Sequence, residues 1–574
     1  MTKRTSFPIG EALANAVALQ NAGRLAEAEV IYDKVLKLDR GNGDALNLKG
    51  LVAHHSGRHI EAIALFNQAA AALPLFADVF FNKGTVLSAL GRNEEALSAY
   101  GQAIRVRSDH AGARLNTGQL LHAMGRTVEA IEAFREMARV CPSEARGFYN
   151  LGVCLEKLVA QTDPTKRQDI AAESLSAFSR ALTLEPNNAE FHTALSSLQF
   201  HLGDYVPAIA HLKTAIRINP TWAAAWQNLG SQLEAIGDRD GALHAYDRAL
   251  TLDPAHVPAI VNQGMTKLAL GRFSEGWEGY LRRFESEDFR FIPRSWPWPL
   301  WNGEDLSNKS ILIWSDQGVG DQILYAAMIP EIAARARLCV VECESRLVPL
   351  YRRSFPNLEI VPKEAQAVHA LSSRTFDYQR SILDLGRWLR PAVGSFPNRR
   401  PVLCADPAYT ATLRAGYQSK APGQKLVGLS WRSVNPTVGP QKSLALADFM
   451  PVLRTSKLTF VNLQYGDVAD EIADIRAQSG ATVLHDPDID SLKDMDRFAA
   501  QVGALDAVLT ISNTTAHVAA VLGVPTCLYV PDGRKRLWYW LEEGDYSPWY
   551  RSIRLWRRPG VETITAIART ISVT

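Results

Sequence analysis

Cysteine is scarce in this chain: Cys141, Cys154, Cys339, Cys343, Cys404 and Cys527 are scattered over 574 positions without a CxxC pair. A disulfide framework and a structural zinc site both need grouped thiols, so neither is expected. Cys339 and Cys343 share one face of a short apolar run and suit core packing. Surplus charge is lacking too, with 62 Lys and Arg against 60 Asp and Glu. A nucleic-acid or anionic-membrane partner calls for a clustered basic excess, so no nucleic acid is expected and any polyanion site must be local. No apolar run reaches the roughly 18 residues that a membrane span needs. The first residues, MTKRTSFPIGEALANAVALQ, lack the continuous apolar stretch of a secretion signal, and the expected location is the cytoplasm.

Repetition is what the sequence does have. From residue 9 it recurs every 34 residues, the period of tetratricopeptide repeats. Gly50, Gly84, Gly118, Gly152, Gly230 and Gly264 take a small position in the first helix of each unit, where the second helix must approach closely. Ala62, Ala96, Ala130, Ala208 and Ala242 do the same in the second helix, and Phe66, Tyr100, Phe134, Phe178, Tyr246 and Tyr280 fill the gap between helices. Eight units fit between residues 9 and 290 if the fifth carries about ten extra residues around Gln161 to Ile170, expected as an exposed helix-to-helix loop. Stacked helix pairs make an α-solenoid with a long concave surface suited to protein partners.

Asn82, Asn116, Asn150, Asn228 and Asn262 each lie two residues before the small glycine and form a ladder along one face. An amide can pair with both the N–H and the C=O of an extended peptide, or it can bond a neighbouring helix instead. The ladder resembles that of O-GlcNAc transferase, where asparagines hold substrate protein, although Ala14, Leu48 and Ala194 interrupt it here.

Residues 291–309 break the pattern with Pro293, Pro297 and Pro299 and with Trp296, Trp298 and Trp301, as expected of a packed connector rather than a free linker. Beyond it, β-rich runs begin at Ser310, Leu338, Leu358, Lys425, Leu458, Ala481, Asp506 and Pro525 and alternate with helical stretches. That alternation argues for parallel sheets covered by helices. A loop-like region from Pro391 to Gly423 divides the runs, giving domains over 1–290, 291–309, 310–423 and 424–574. Ligands in such sheets sit at the C-terminal ends of the strands.

Two stretches there suit chemistry. SILIWSDQGVGDQILYAA, from Ser310, reads as strand, glycine turn (Gly318, Gly320) and helix, with Asp321 placed to cap it. In the second, DAVLTI runs through Ser512, Asn513, Thr514 and Thr515 into a helix whose free N–H groups and hydroxyls suit an anion. Arg432 and Lys442 follow another strand and can neutralise a phosphate, although either can equally be surface charge. DPDID at 486–490 reads as a solvated turn rather than a metal site, and no metal is expected. The aromatic tail with Trp538, Trp540, Trp549 and Trp556 is expected to be core, with a last helix over Val561–Ile571 closing the domains.

With WNGEDLSNKSILIWSDQGVGDQI, VGLSWRS, ISNTTAHVAAVLGVPTCLYVP and YSPWYRSIRLWRR in that order, the whole chain resembles bacterial proteins that join tetratricopeptide repeats to a heptosyltransferase-like GT-B glycosyltransferase, among them flagellin glycosyltransferases. The resemblance implies two Rossmann-like domains, Asp321 as general base on an acceptor hydroxyl with Asp316 as its substitute, and His517, matching the family histidine, as a second catalytic residue. It also implies Gln464 and Tyr465 near a nucleotide base. One departure is Ser512-Asn513, where that family commonly has aspartate and one residue more. The expected activity is O-glycosylation of Ser or Thr on a protein held by the repeats, with flagellin as candidate acceptor. The donor is a nucleotide-sugar such as a CMP-linked nonulosonic (pseudaminic) acid, with no other cofactor. The alternatives are a non-catalytic adaptor with a degenerate transferase domain and a heptosyltransferase-like enzyme acting on a glycan.

Overall fold

The computed structural model describes residues 8–162, 167–286, 296–397, 401–433, 439–454, 457–531 and 537–557. Pro293 and the helix expected over Val561–Ile571 lie outside the described residues. By compactness the chain falls into two units, Met1–Pro220 and Thr221–Thr574.

The first unit is helical, paired from α1 (Ile9–Asn21) and α2 (Leu25–Leu38) through α3 (Gly43–His55), α4 (His59–Ala72), α5 (Ala77–Ala89), α6 (Asn93–Val106), α7 (Ala111–Ala123) and α8 (Thr127–Val140). It ends with α9 (Ala145–Gln161), α10 (Arg167–Leu184), α11 (Ala189–Leu202) and α12 (Tyr205–Ile218). The small-large pairing read from the sequence sets each hairpin. A Cβ on Gly84 would lie 2.6 Å from the Tyr100 ring, and one on Gly118 2.5 Å from Phe134, so only glycine lets the two helices close. The expected loop at Gln161 to Ile170 needs correction: α9 and α10 have 17 and 18 residues where α7 and α8 have 13 and 14. Four extra residues on each helix absorb most of the insertion, because continuing a helix satisfies backbone groups that a loop would leave to water.

The second unit opens with α13 (Ala223–Ala235), α14 (Arg239–Leu252), α15 (Val257–Ala269) and α16 (Phe273–Tyr280), which ends in a 3-10 turn over Leu281–Glu285. The first sheet has β1 (Ser310–Trp314), α17 (Val319–Tyr325), α18 (Ile329–Ala333), β2 (Leu338–Cys343), α19 (Val348–Ser354), β3 (Glu359–Pro362), α20 (Ala365–Ser372), β4 (Tyr378–Ser381) and α21 (Gly386–Leu389). The second has α22 (Pro407–Lys420), β5 (Lys425–Ser430), α23 (Gly439–Lys442), α24 (Met450–Leu453), β6 (Leu458–Asn462), α25 (Ala469–Ser479), β7 (Val483–Leu484), α26 (Met495–Gly503), β8 (Ala507–Ile511), α27 (Thr514–Val521), β9 (Thr526–Tyr529) and β10 (Ile553–Trp556).

All these pairings are parallel, in orders β3-β2-β1-β4 and β10-β9-β8-β5-β6-β7. The strand order reverses between β1 and β4 in the first sheet and between β5 and β8 in the second, the places where doubly wound sheets open a crevice. Pro391 to Gly423 is not all loop: it contains α22, started by the Asp406 carboxylate accepting from the Tyr409 amide at 2.8 Å, with Pro407 in the first turn. Tyr417 of α22 accepts a hydrogen bond from Gln501 of α26 at 3.0 Å, so this helix packs with the second sheet.

The last hairpin is built into the α/β core. Trp277 of α16 is fully buried, donates from its indole to the Arg390 carbonyl at 2.9 Å and meets the Trp538 ring at 5.3 Å. Gly386 is what admits it, since a Cβ there would sit 2.2 Å from the Trp277 ring. In the connector, Trp298 and Trp301 are buried, and the Trp301 amide donates to the Gln379 carbonyl at 3.1 Å along the edge of β4. Cys339 and Cys343 lie in the core, and the described cysteines form no disulfide. Among the described residues no helix is long and apolar enough to cross a membrane.

Candidate active site at the ends of the two sheets

The two stretches singled out in the sequence meet. Gly318 is the N-cap of α17 and Asp321 lies in its first turn. A Cβ on Gly320 would stand 3.3 Å from Cδ2 of His517 and 3.6 Å from Oγ1 of Thr514, so the turn after β1 abuts the start of α27 after β8. Glycine at 320 suits this approach, because a side chain there would crowd the His517 ring.

Asp321 keeps part of its surface open while surrounded by protein. Burial first, and the Asp316 carboxylate second, push it up to about 6; Lys442 and the amides of Asp321 and Gly318 oppose them. Lys442, at the end of α23, is buried, and its ammonium is pushed down by loss of water while Asp321 holds it up. The pair is therefore a carboxylate poised near neutrality and an ammonium that burial weakens and the carboxylate sustains.

His517 is placed differently from a solvent-facing base. Its ring lies parallel to Trp540 at 5.2 Å, Nδ1 is 3.0 Å from the Tyr550 hydroxyl and Nε2 is 3.4 Å from that of Tyr539. Burial, with Lys442 adding to it, pushes the imidazole down to about 3, so it stays neutral and held at both nitrogens. Ser512 accepts from the Trp540 indole at 2.8 Å. Asn513 caps α27 by accepting from the Ala516 amide, and its Nδ2 donates to Ser430 Oγ at 2.8 Å, which pins the end of β8 to the end of β5. Thr514 is half-buried and faces the glycine turn, and Thr515 is buried.

Two donor-side residues have partners of their own. The Arg432 guanidinium is held by the Glu471 carboxylate and donates to the Asp467 carbonyl at 2.7 Å. Gln464 is buried, its Oε1 accepting from the amides of Trp431 and Arg432 at 3.0 and 2.9 Å. Asp316 is likewise committed: it pairs with Arg283 at 2.8 Å and accepts from Ser381 Oγ at 2.6 Å. The structure thus gathers Gly318, Gly320, Asp321, Lys442, Thr514 and His517, and leaves Arg432 and Gln464 in their own hydrogen bonds.

All five ladder asparagines are half-buried. Asn82 donates to Asn47 at 3.1 Å, Asn116 to the Tyr100 hydroxyl at 3.3 Å and Asn150 to the Arg146 carbonyl at 2.9 Å. Each of these three retains its carbonyl oxygen for another donor. Sequence reasoning missed Arg283, Ser381, Tyr539 and Tyr550. No local pattern marks Arg283, because its partners lie 33 and 101 residues away. The two tyrosines sit in an aromatic-rich tail that reads simply as core. Among the described residues no group of three or more His, Cys, Asp or Glu side chains is arranged to hold a metal.

Family models described as tetratricopeptide repeat match residues 13–75, 81–145, 170–233 and 223–256. The peroxisomal targeting signal receptor of Saccharomyces cerevisiae is 30% identical over 112 residues, covering 20% of this chain and 18% of that one. Among solved structures, YrrB, described as a TPR protein with an unusual peptide-binding site, is 24% identical with a TM-score of 0.29 over 34% of this chain and 95% of its own. A tetratricopeptide repeat protein from Parabacteroides merdae is 16% identical with a TM-score of 0.33, covering 45% and 98%. Protein FlbA of Caulobacter vibrioides is 31% identical over 423 residues, 64% of this chain and 70% of that protein. At that identity and span, the chain belongs to the family of protein FlbA.

Proposed function

We propose that the chain is a GT-B protein O-glycosyltransferase, in which the repeats recruit a protein acceptor and the crevice between the two sheets transfers a sugar from a nucleotide-sugar to Ser or Thr. The observation that carries this reading is the apposition of the turn that holds Asp321 with the start of α27, a carboxylate-bearing turn against a helix N-terminus. The acceptor hydroxyl gives its proton to Asp321, its oxygen bonds to the anomeric carbon, and the bond from that carbon to the phosphate oxygen breaks, leaving its electron pair on the nucleotide. A base near 6 suits this task better than an ordinary aspartate, because it is ionised at neutral pH yet basic enough to accept the proton. Lys442 and the N–H groups of α27 balance the charge that grows on the leaving phosphate. His517 stays neutral, held by Tyr550, Tyr539 and Trp540. Flagellin and a CMP-linked nonulosonic acid are the proposed acceptor and donor, on the strength of the sequence resemblance.

Asp321→Asn abolishes transfer in this reading and leaves acceptor binding intact; unchanged transfer would sink it. The engagement of Arg432 by Glu471 and of Gln464 by its own backbone neighbours favours a second reading, a repeat adaptor whose α/β half binds no donor. Calorimetry with CMP-, UDP- and ADP-sugars separates the two: the transferase binds one of them, and the adaptor binds none.

A further inference from the structure

The last repeat reaches into the site. Arg283, in the turn that ends α16, is fully buried. Its Nη2 donates to Asp316 Oδ2 at 2.8 Å and its Nη1 to Asp384 Oδ1 at 2.6 Å. Arg380 pairs with the other oxygen of Asp384 at 2.8 Å, so two guanidinium groups balance two carboxylates at the switch point between β1 and β4. Tyr280, at the end of α16, accepts from Gln317 Nε2 at 2.9 Å. Two consecutive residues of the turn that leads to Gly318, Asp316 and Gln317, are thus gripped by the final repeat.

We propose that Arg283 is a positioning residue for the site: by holding the Asp316 carboxylate at the end of β1 it fixes the turn that carries Asp321 and keeps a negative charge beside it. This rests on the reading of Asp321 as the acceptor base. A buried carboxylate stripped of its arginine takes up a proton rather than staying charged. Without Arg283, the Asp316 carboxylate loses the partner that holds it at the end of β1, and its repulsion of the Asp321 charge is no longer fixed. The other groups facing Asp321 are Lys442 from α23, Tyr280 from α16, Tyr325 from α17, neutral His517 from α27, and Tyr539 and Tyr550 from the tail. Burial keeps the four tyrosines un-ionised well past neutrality, so Asp316 and Lys442 are the charges that count.

The test is a carboxyl carbon NMR titration of aspartate-labelled full chain, with Asp321→Asn identifying the resonance. It needs neither donor nor acceptor, so it decides this proposal separately from the transferase reading. Wild type should titrate near pH 6. Asp316→Asn and Arg283→Met should each bring the midpoint down by about one pH unit, while Arg283→Lys, which keeps the charge, should restore it. Should Arg283→Met fail to fold, Asp316→Asn and Arg283→Lys decide the matter. A folded Asp316→Asn with the wild-type midpoint, or an Arg283→Lys that falls as far as Asp316→Asn, would overturn the proposal.

Discussion

The two switch points of the second unit are built from different chemistry. At the end of β1 and β4 lies a buried, balanced set of charges, Arg283, Asp316, Arg380 and Asp384, joined by Ser381. At the end of β5 and β8 the buried ties are neutral, Asn513 to Ser430, Gln464 to the Trp431 and Arg432 amides and Trp540 to Ser512, and the ion pair there, Arg432 with Glu471, is partly exposed. The difference follows from what each must face. In the proposed reaction the first holds the base, and the fixed charge of Asp316 raises its affinity for protons. In the proposed reaction the second offers positive potential to a phosphate, from the end of α27 and from Lys442, whose ammonium Asp321 sustains.

The widest break in this comparison is Asp321→Asn, expected to lower kcat by about 10²–10⁴-fold with acceptor affinity unchanged. Next come the ties themselves. Removing one partner of a buried ion pair costs about 3–5 kcal/mol, so Arg283→Met should lower the unfolding free energy by that amount in a denaturant titration. Asn513→Ala removes a helix cap and one neutral bond and should cost about 1–2 kcal/mol. Equal losses would mean that the two ends do not differ as described.

The pH dependence sharpens the contrast. A base that ionises near 6 gives a kcat/KM that falls about tenfold per pH unit below that point. His517, pushed down to about 3, adds no inflection above pH 4. The sign for stability is the reverse of a salt-bridged aspartate. The native state holds the Asp321 proton more tightly than the unfolded chain, whose aspartates ionise near 4. Its contribution is therefore lost as pH rises from about 4 to about 6 and is flat above. Asp321→Asn should flatten that segment of the stability profile. The smallest effect is expected in the repeats: Asn82→Ala gives up its bond to Asn47, worth about 1 kcal/mol or less in melting experiments, with a few-fold weaker acceptor binding if the ladder holds the acceptor.

Where sequence and structure agree, a periodic or apolar signal carried the information. The 34-residue spacing of Gly84 and Gly118 with Tyr100 and Phe134 marks the hairpins, because a close approach of two helices demands a small residue facing a large one. The apolar runs gave eight strands. The ninth and tenth, β4 and β10, were hidden for different reasons. β4 reads YQRS, and its polar side chains are buried only because the Trp314 indole bonds Gln379 and Asp316 bonds Ser381. β10, IRLW, lies inside an aromatic tail whose composition masks its pattern. In the site, Gly320 and Thr514 were legible as a turn and a helix start, yet nothing in the sequence says that they touch. Arg283 was illegible altogether, since a charge in YLRRFE at a helix end reads as surface until the fold brings Asp316 and Asp384 to it.

The most direct measurement is the intact mass of flagellin from the native host, with the gene for this chain deleted and then restored as wild type or as Asp321→Asn. Wild type should add the mass of one or more sugars that the deletion strain and the Asp321→Asn strain both lack. Flagellin of the same mass in the wild-type and Asp321→Asn strains would contradict a transferase that works through this carboxylate.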